Sequence, residues 1–226
     1  MSLPVIYIIG IGNSPKHITL EAKEILAQVD VVGGHFGFIE MCRNYINSNA
    51  LIIDDRPARK RALTFEDYQK DRISMVVTQA LENKSVAVLS GGDAGLWGMA
   101  GVFIEAKEKF EFRFKVEVVP GIPSMTSIAS KLGAPLQNGF SIISVGDEDV
   151  PFSVIEQRLK GAAYSGMVTV LFKLILENIA YPEYYPEEKY PELYPPEEKT
   201  KYRLQRTYDI LKDHIPDDRL MIIITD

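Results

Sequence analysis

Three glycine- or proline-bearing turns, each placed after an apolar run, hold the residues with the most chemical reach. The longest is Ser90-Gly-Gly-Asp-Ala-Gly-Leu-Trp-Gly-Met-Ala-Gly101. Gly91, Gly92, Gly95, Gly98 and Gly101 leave its backbone bare where a strand gives way to a helix. Such a turn can bring main-chain N–H groups and a helix N-terminus against a polar ligand. Asp93 is the only charged residue of the stretch. A carboxylate there suits a ligand with hydroxyls or a cationic amine better than a bare phosphate. The same glycines also fit a tight turn that serves packing alone, so the motif by itself leaves both readings open. The first turn, Gly10-Ile-Gly-Asn-Ser-Pro15, carries Gly10, Gly12 and Asn13. It lacks the third glycine of a dinucleotide fingerprint, and no acidic residue closes the second strand in the required way, which argues against a nicotinamide cofactor. The third turn, Pro120-Gly-Ile-Pro-Ser-Met-Thr126, puts Pro123 where a helix needs no N–H and Ser124 where a cap belongs.

A fourth stretch is basic. Arg56, Arg59, Lys60 and Arg61 place four cations in six residues, and arginines so spaced can clamp carboxylates in bidentate fashion. A solvated loop is the plainer reading of the same charges. His17, His35 and His214 are too scattered to suggest a metal site, and the single cysteine, Cys42, excludes an internal disulfide or a cysteine-held cluster.

The elements that must position these turns follow from periodicity. Residues 4–9 form a continuous β-branched run, the mark of a strand covered on both faces as in a parallel sheet. Thr19 can cap a helix whose apolar stripe is Ala22, Ile25, Leu26 and Val29, and residues 29–33 read as the next strand. This strand, glycine turn, helix and strand make a βαβ unit. Further strands are expected at 51–53, 86–89 and 115–119, with helices at 36–46, 65–83 (capped by Thr64), 102–109 and 123–132. In an open parallel sheet the three turns then line up along the carboxyl edge, where such sheets bind ligands.

From Gly133 the character changes. Residues 133–139 look like a hinge, with strands expected at 140–145, 167–172 and 220–224 and helices at 151–163 and 202–214. Between them, residues 181–199 repeat Tyr-Pro-Glu three times and close with Tyr-Pro-Pro-Glu. Proline bars helix and sheet interior, so extended, polyproline-like or disordered chain is expected there, as a surface insertion. The division expected from these shifts is a first α/β domain over 1–120 and a second over 121–226, with the Tyr/Pro/Glu-rich insertion at 177–200.

Composition bounds the function. The chain has 226 residues, 46% of them hydrophobic and 25% charged, which is ordinary for a soluble globular protein. Its net charge of −6 argues against a general nucleic-acid binder. No apolar run nears the roughly 20 residues needed to span a bilayer. The N-terminus lacks a basic flank and a cleavage pattern, so no signal peptide is expected. A cytoplasmic protein is the expectation.

Together these motifs resemble the tetrapyrrole methylase family, enzymes that methylate precorrins with S-adenosylmethionine on the way to cobalamin. Within it, they are most similar to the branch that methylates ring carbon 17. The likeness is carried by Gly10-Ile-Gly12 with Leu20-Glu-Ala22, by residues 27–32, by 90–100, by Val116-Glu-Val-Val-Pro-Gly121 and by Leu132-Gly-Ala-Pro-Leu136. Residues 140–144, 151–156 and 204–206 extend it, so it spans nearly the whole chain apart from the insertion. The resemblance implies two α/β domains, with an N-terminal parallel sheet, a C-terminal mixed sheet and the cofactor between them, in a homodimer. It implies that Asn13 borders the cofactor, with Gly10 and Gly12 beside it. Gly91, Gly92, Asp93 and Leu96 fall in the Gly-Asp loop that holds it. Pro123 and Ser124 match the pair after the Pro-Gly turn, and Lys173 lines the site from the second domain.

No catalytic acid or base is expected, because a sulfonium methyl is already activated and alignment can carry the reaction. Arg56, Arg59 and Arg61 are the candidates for substrate carboxylates. The sequence departs from the branch at several places. Asn13-Ser14-Pro15 replaces Pro-Gly-Asp, Gly91 and Ala94 stand for Ser and Pro, Pro123 stands for Ser or Thr, and Lys173-Leu174 stands for Asn-Pro. The chain ends at Asp226, where the family continues with further cofactor-lining residues and two more strands. Methylation of another precorrin position, and a cofactor-binding relative that acts through a partner, are the alternative readings.

Overall fold

The computed structural model describes residues 3–56, 65–109, 113–146, 150–173 and 197–215. Thr64, Arg59, Arg61, most of the Tyr/Pro/Glu tract and the strand expected at 220–224 lie outside them. The chain forms two compact units, Met1–Ser127 and Ile128–Asp226. The division falls after Ser127, so the Pro-Gly turn goes with the first unit, whereas the sequence suggested a boundary at 120/121.

The first unit is built on five strands: β1 (Val5–Gly10), β2 (Val31–Gly34), β3 (Leu51–Asp54), β4 (Val86–Ser90) and β5 (Lys115–Val119). They lie in the order β3-β2-β4-β1-β5, and every pairing is parallel. Ile6 stands opposite Val86 on one side and Val116 on the other, so β1 is a central strand, as its unbroken apolar run requires. The connecting helices are α1 (Leu20–Leu26), α2 (Phe36–Cys42), α3 (Phe65–Leu81) and α4 (Met99–Lys109).

Alternation along the strands sorts the core into two layers. Ile6, Ile8, Val86 and Val88 cluster with Val76, Val77 and Ala80 of α3 and with Ala100 and Phe103 of α4. Ile9, Ala87 and Leu89 cluster with Ala22 and Leu26 of α1 and with Ile39 and Cys42 of α2. Burying each such Ile, Leu or Phe side chain contributes about 1.5–3 kcal/mol, which makes these layers the main source of stability. The layers also fix the topology of the site. The chain leaves β1 toward the α1 layer but leaves β4 toward the α4 layer. Adjacent strands whose exits diverge in this way define the switch point of an open α/β sheet.

Several boundaries differ from the sequence expectation. The helix expected at 36–46 is α-helical only to Cys42, and Arg43–Tyr45 tighten into a 3-10 turn. β2 starts at Val31, two residues later than expected, because Gln28 and Val29 N–H still bond to Ile25 O at the end of α1. α4 begins at Met99, three residues earlier than expected, because the buried Ser90 hydroxyl accepts from Met99 N at 3.2 Å and so caps it. The helix expected at 123–132 is α5 (Ser124–Ala129) followed by a 3-10 turn, Ser130–Leu132.

In the second unit, β6 (Phe140–Ser144) and β7 (Val168–Phe172) pair in parallel. The mixed sheet expected there is therefore not seen among the described residues. α6 (Phe152–Ser165) and α7 (Glu197–His214) pack with these strands through Ile143, Val145, Ile155, Leu159 and Ile210. α7 starts at Glu197, so the end of the Tyr/Pro/Glu tract is helical rather than extended; no proline falls between Glu197 and His214 to interrupt it. Arg206 Nε meets Glu156 Oε1 at 2.6 Å, tying α7 to α6 and holding the Glu156 carboxyl below its usual range.

Candidate functional site

The three glycine turns leave the sheet at neighbouring places. Gly10 ends β1 opposite Ser90, the end of β4, and β5 ends one strand further along. Beyond the strands the first two turns continue to pair. Ile11 N donates to Ser90 O at 3.0 Å, and Gly12 and Gly92 exchange backbone hydrogen bonds, N to O, at 2.9 Å in both directions. Both glycines have left-handed backbone, with φ of 69° at Gly12 and 65° at Gly92, a conformation that favours glycine.

The third turn closes on the other two through main chain alone. A Cβ on Gly121 would lie 2.2 Å from Gly92 O and 2.6 Å from Gly10 C and O. A Cβ on Gly10 would lie 2.6 Å from Gly121 N and 2.9 Å from Ala94 N. No side chain fits between these segments, which is why glycine stands at positions 10 and 121. Gly92 faces the other way, because a Cβ there would meet nothing nearer than Pro123 Cα at 3.7 Å and Ser124 N at 3.8 Å. A Cβ there would be in ordinary van der Waals contact with the third turn, without a clash.

Asp93 spans the same gap. Its Oδ1 accepts from Gly95 N at 2.8 Å, and its Oδ2 accepts from Gly121 N at 2.9 Å. The loop it opens is compact: Ala94 is buried, Ala100 N donates to Ala94 O at 3.0 Å, and a Cβ on Gly98 would lie 2.4 Å from that same oxygen. Leu96 is half-buried, and Trp97 is exposed with a φ of 51°. Pro123 O accepts from Thr126 N and Oγ1 and from Ser127 N, which sets the first turn of α5. Asn13 is exposed, with its Oδ1 2.5 Å from His17 Nδ1.

The fold thus brings together Gly10, Gly12, Asn13, Gly91, Gly92, Asp93, Leu96, Pro123 and Ser124 on the loops after β1, β4 and β5. Two other sequence candidates lie elsewhere. Lys173 follows β7 in the second unit, exposed and with a φ of 51°. Arg56 follows β3, where its Nε and Nη2 meet Asp54 Oδ1 and Oδ2 at 3.0 and 2.6 Å. That pairing holds the Asp54 carboxyl below its usual range. The sequence reading missed Gly121 and Ser90 as framework residues of the site. The signal for Gly121 was present: it is a glycine directly after the third parallel strand, in line with Gly10 and Gly92. Ser90 closes an otherwise apolar strand, which is also a legible sign of a cap. Among the described residues, no group of three or more His, Cys, Asp or Glu side chains is arranged to hold a metal ion.

A family model described as Tetrapyrrole (Corrin/Porphyrin) Methylases matches residues 5–225 of this chain. The chain belongs to the tetrapyrrole methylases. Among its relatives is a cobalt-factor III methyltransferase of Priestia megaterium, 35% identical over 170 residues. That match covers 73% of this chain and 30% of the relative. A precorrin-3B C(17)-methyltransferase of Sinorhizobium sp. is 32% identical over 174 residues, covering 75% of this chain and 64% of the relative. The matched part of this tetrapyrrole methylase thus spans less than two thirds of either curated relative. The crystal structure of the methyltransferase CobJ aligns with a TM-score of 0.69 over 94% of this chain and 77% of that one. At 22% identity, that likeness establishes a shared fold.

Proposed function

We propose that this tetrapyrrole methylase transfers a methyl group from S-adenosylmethionine to ring carbon 17 of a corrin precursor. The observation that carries this is the glycine-bare crevice at the switch point. There, Gly10, Gly92 and Gly121 leave main chain in contact with main chain, and the Cβ side of Gly92 meets Pro123 and Ser124 without a clash. A cofactor with a carboxylate, an ammonium, ribose hydroxyls and an adenine edge needs N–H donors and C=O acceptors at close range, and bare backbone supplies both. The residues therefore fit the group. Gly12, Asn13, Gly91, Gly92, Leu96, Pro123 and Ser124 would hold it.

When bound, the cofactor supplies a methyl already activated on sulfonium sulfur. The chain's own part is to bind, to orient and to exclude water. Alignment of nucleophile and methyl within a rigid crevice can account for several kcal/mol of barrier lowering, with about 7–11 kcal/mol as the upper range. No residue here needs to move a proton in that step. The carboxylates of a corrin would be met by the basic segment 56–61. Arg56 can contribute only by sharing or leaving Asp54, since its guanidinium already forms both bonds of a bidentate pair. A homodimer in the cytoplasm belongs to the same reading. It is consistent with the lack, among the described residues, of a helix long and apolar enough to cross a membrane.

The test is calorimetric titration of the purified chain with S-adenosylhomocysteine. Micromolar binding, about −8 kcal/mol, is expected. No heat from well-folded protein would defeat the cofactor assignment. Incubation with precorrin-3B and S-adenosylmethionine, read by mass spectrometry, should then show one added methyl, located at carbon 17 by NMR. Methylation at another carbon would move the substrate assignment within the family, and binding without transfer would favour a cofactor-binding relative that acts through a partner.

A further inference from the structure

We infer that Asp93 is a positioning residue: its carboxylate ties the loop after β4 to the loop after β5 and so sets the shape of the switch-point crevice. This goes beyond a list of ligand contacts, and for its functional consequence it rests on the crevice being the cofactor site. Both carboxylate oxygens accept from backbone N–H groups, Oδ1 from Gly95 and Oδ2 from Gly121. The first bond shapes Asp93's own loop, because an acceptor two residues before a donor closes an Asx turn. The second reaches 28 residues along the chain to a different loop.

That cross-link is needed for a physical reason. Where the loops meet at Gly10 and Gly121, neighbouring backbone fills the Cβ positions, so no side chain at either can interdigitate to lock them. Gly12 and Gly92 lock the first pair of loops by their reciprocal hydrogen bonds. Asp93 with Gly121 gives the second pair a link of comparable length. A charged acceptor strengthens it, since hydrogen bonds to an ionised group are roughly twice as strong as neutral ones. Asparagine could not substitute: its single amide oxygen satisfies one N–H, and its NH2 then faces the other, donor against donor. A group that only met ligand hydroxyls would tolerate the same change, because an amide both donates and accepts.

Two measurements separate these cases. In the unaltered, ligand-free chain, the amides of Gly95 and Gly121 should be protected from hydrogen exchange at least tenfold relative to free loop amides, as donors to one carboxylate. In Asp93→Asn, hydrogen exchange at Gly121 should accelerate at least tenfold without ligand, and affinity for S-adenosylhomocysteine should fall at least tenfold. The near-ultraviolet circular dichroism of the folded variant should be retained. Unchanged Gly121 exchange in the folded variant would overturn the inference, whether or not affinity fell. An unprotected Gly121 amide in the unaltered chain would overturn it even if the variant failed to fold. Absence of S-adenosylhomocysteine binding by the unaltered chain would defeat the cofactor reading instead, while exchange at Gly121 would still decide the tie itself.

Discussion

Gly12 and Gly92 hold each other by two backbone hydrogen bonds of 2.9 Å, each donating its N–H to the other's carbonyl. The pair is antiparallel, although β1 and β4 themselves run parallel, so the two segments change direction relative to each other as they leave the strands. Both residues sit in left-handed backbone, but their surroundings differ. A Cβ on Gly12 would lie 2.3 Å from His17 Cβ, whereas one on Gly92 would find only van der Waals contacts at 3.7 Å and beyond. Left-handed backbone costs a residue with a Cβ about 1–2 kcal/mol, and overpacking adds about 1–3 kcal/mol. Gly12→Ala should therefore lose about 3 kcal/mol in urea denaturation and Gly92→Ala about 1–2 kcal/mol. Affinity should split differently. The Gly92→Ala methyl enters the proposed cofactor space, so S-adenosylhomocysteine should bind at least tenfold more weakly despite the milder loss of stability. Equal losses of stability in the two variants would contradict this account of the turn.

The other glycines divide the same way. Gly121 is surrounded by main chain of the two neighbouring loops, and an added methyl cannot be relieved by a rotamer change. Gly101 in α4 and Gly161 in α6 are exposed, and a Cβ on either would meet nothing within 4 Å. Helix-interior glycine is about 1 kcal/mol less favourable than alanine. Gly161→Ala and Gly101→Ala should each raise the thermal midpoint, by up to about 1 kcal/mol of added stability. Gly121→Ala should lose more than about 3 kcal/mol or fail to fold. Thermal melts of the three variants check the ordering, and a benign Gly121→Ala would show that the third loop can move aside.

Much of this was legible from the chain. The runs at 4–9 and 86–89 announced central parallel strands because they are apolar on both faces, and the glycines marked where those strands end. What the sequence could not supply was strand order. Nothing local says that β4 lies beside β1, and that adjacency is what makes the first two turns one site. The Asp93 partner was hidden for the same reason, since Gly121 comes into reach only once β5 is placed against β1. Arg56 went the other way. Its acceptor, Asp54, is two residues distant, and a local pair satisfied a guanidinium that charge spacing alone suggested was free for substrate.

The opposite, amino edge of the sheet supplies a pH-dependent prediction. Asp30, just before β2, accepts from Ser85 N at 2.8 Å and from Ser85 Oγ at 2.7 Å, just before β4. The Ser85 backbone N–H and then its hydroxyl hold the Asp30 carboxyl below its usual range. A carboxyl whose folded pKa is depressed contributes stability above its unfolded value, about 3.9, and loses it as pH falls through the folded value. Asp30→Ala should thus cost about 1 kcal/mol at pH 7, a modest figure because the pair is solvent-exposed. The gap between the two melting curves should close as pH drops below about 4. Affinity for S-adenosylhomocysteine should be unchanged, since this clasp lies at the far end of the strands. A gap that persisted at low pH would mean that the charge of Asp30 contributes nothing.

Cys42 gives a reporter for opening of the first unit. It is fully buried in the layer formed by α1 and α2, and burial pushes its thiol up to about 12. The thiolate is the reactive form, so the folded chain should be silent to a disulfide reagent at pH 8, and one equivalent should react after denaturation. The residual rate in the folded chain then measures how often this layer opens. A ligand that binds only the closed form suppresses opening by RT ln(1 + [L]/Kd), about 2.7 kcal/mol at a hundredfold excess over Kd. S-adenosylhomocysteine at that excess should slow labelling of Cys42 about a hundredfold when reclosing outpaces the reagent. Because Cys42 is already fully buried in the ligand-free chain, slowing would reflect rarer opening of the layer rather than shielding of an exposed thiol. Fast labelling of the native chain would contradict its burial. Slow labelling that S-adenosylhomocysteine leaves unchanged would separate this layer from the cofactor site.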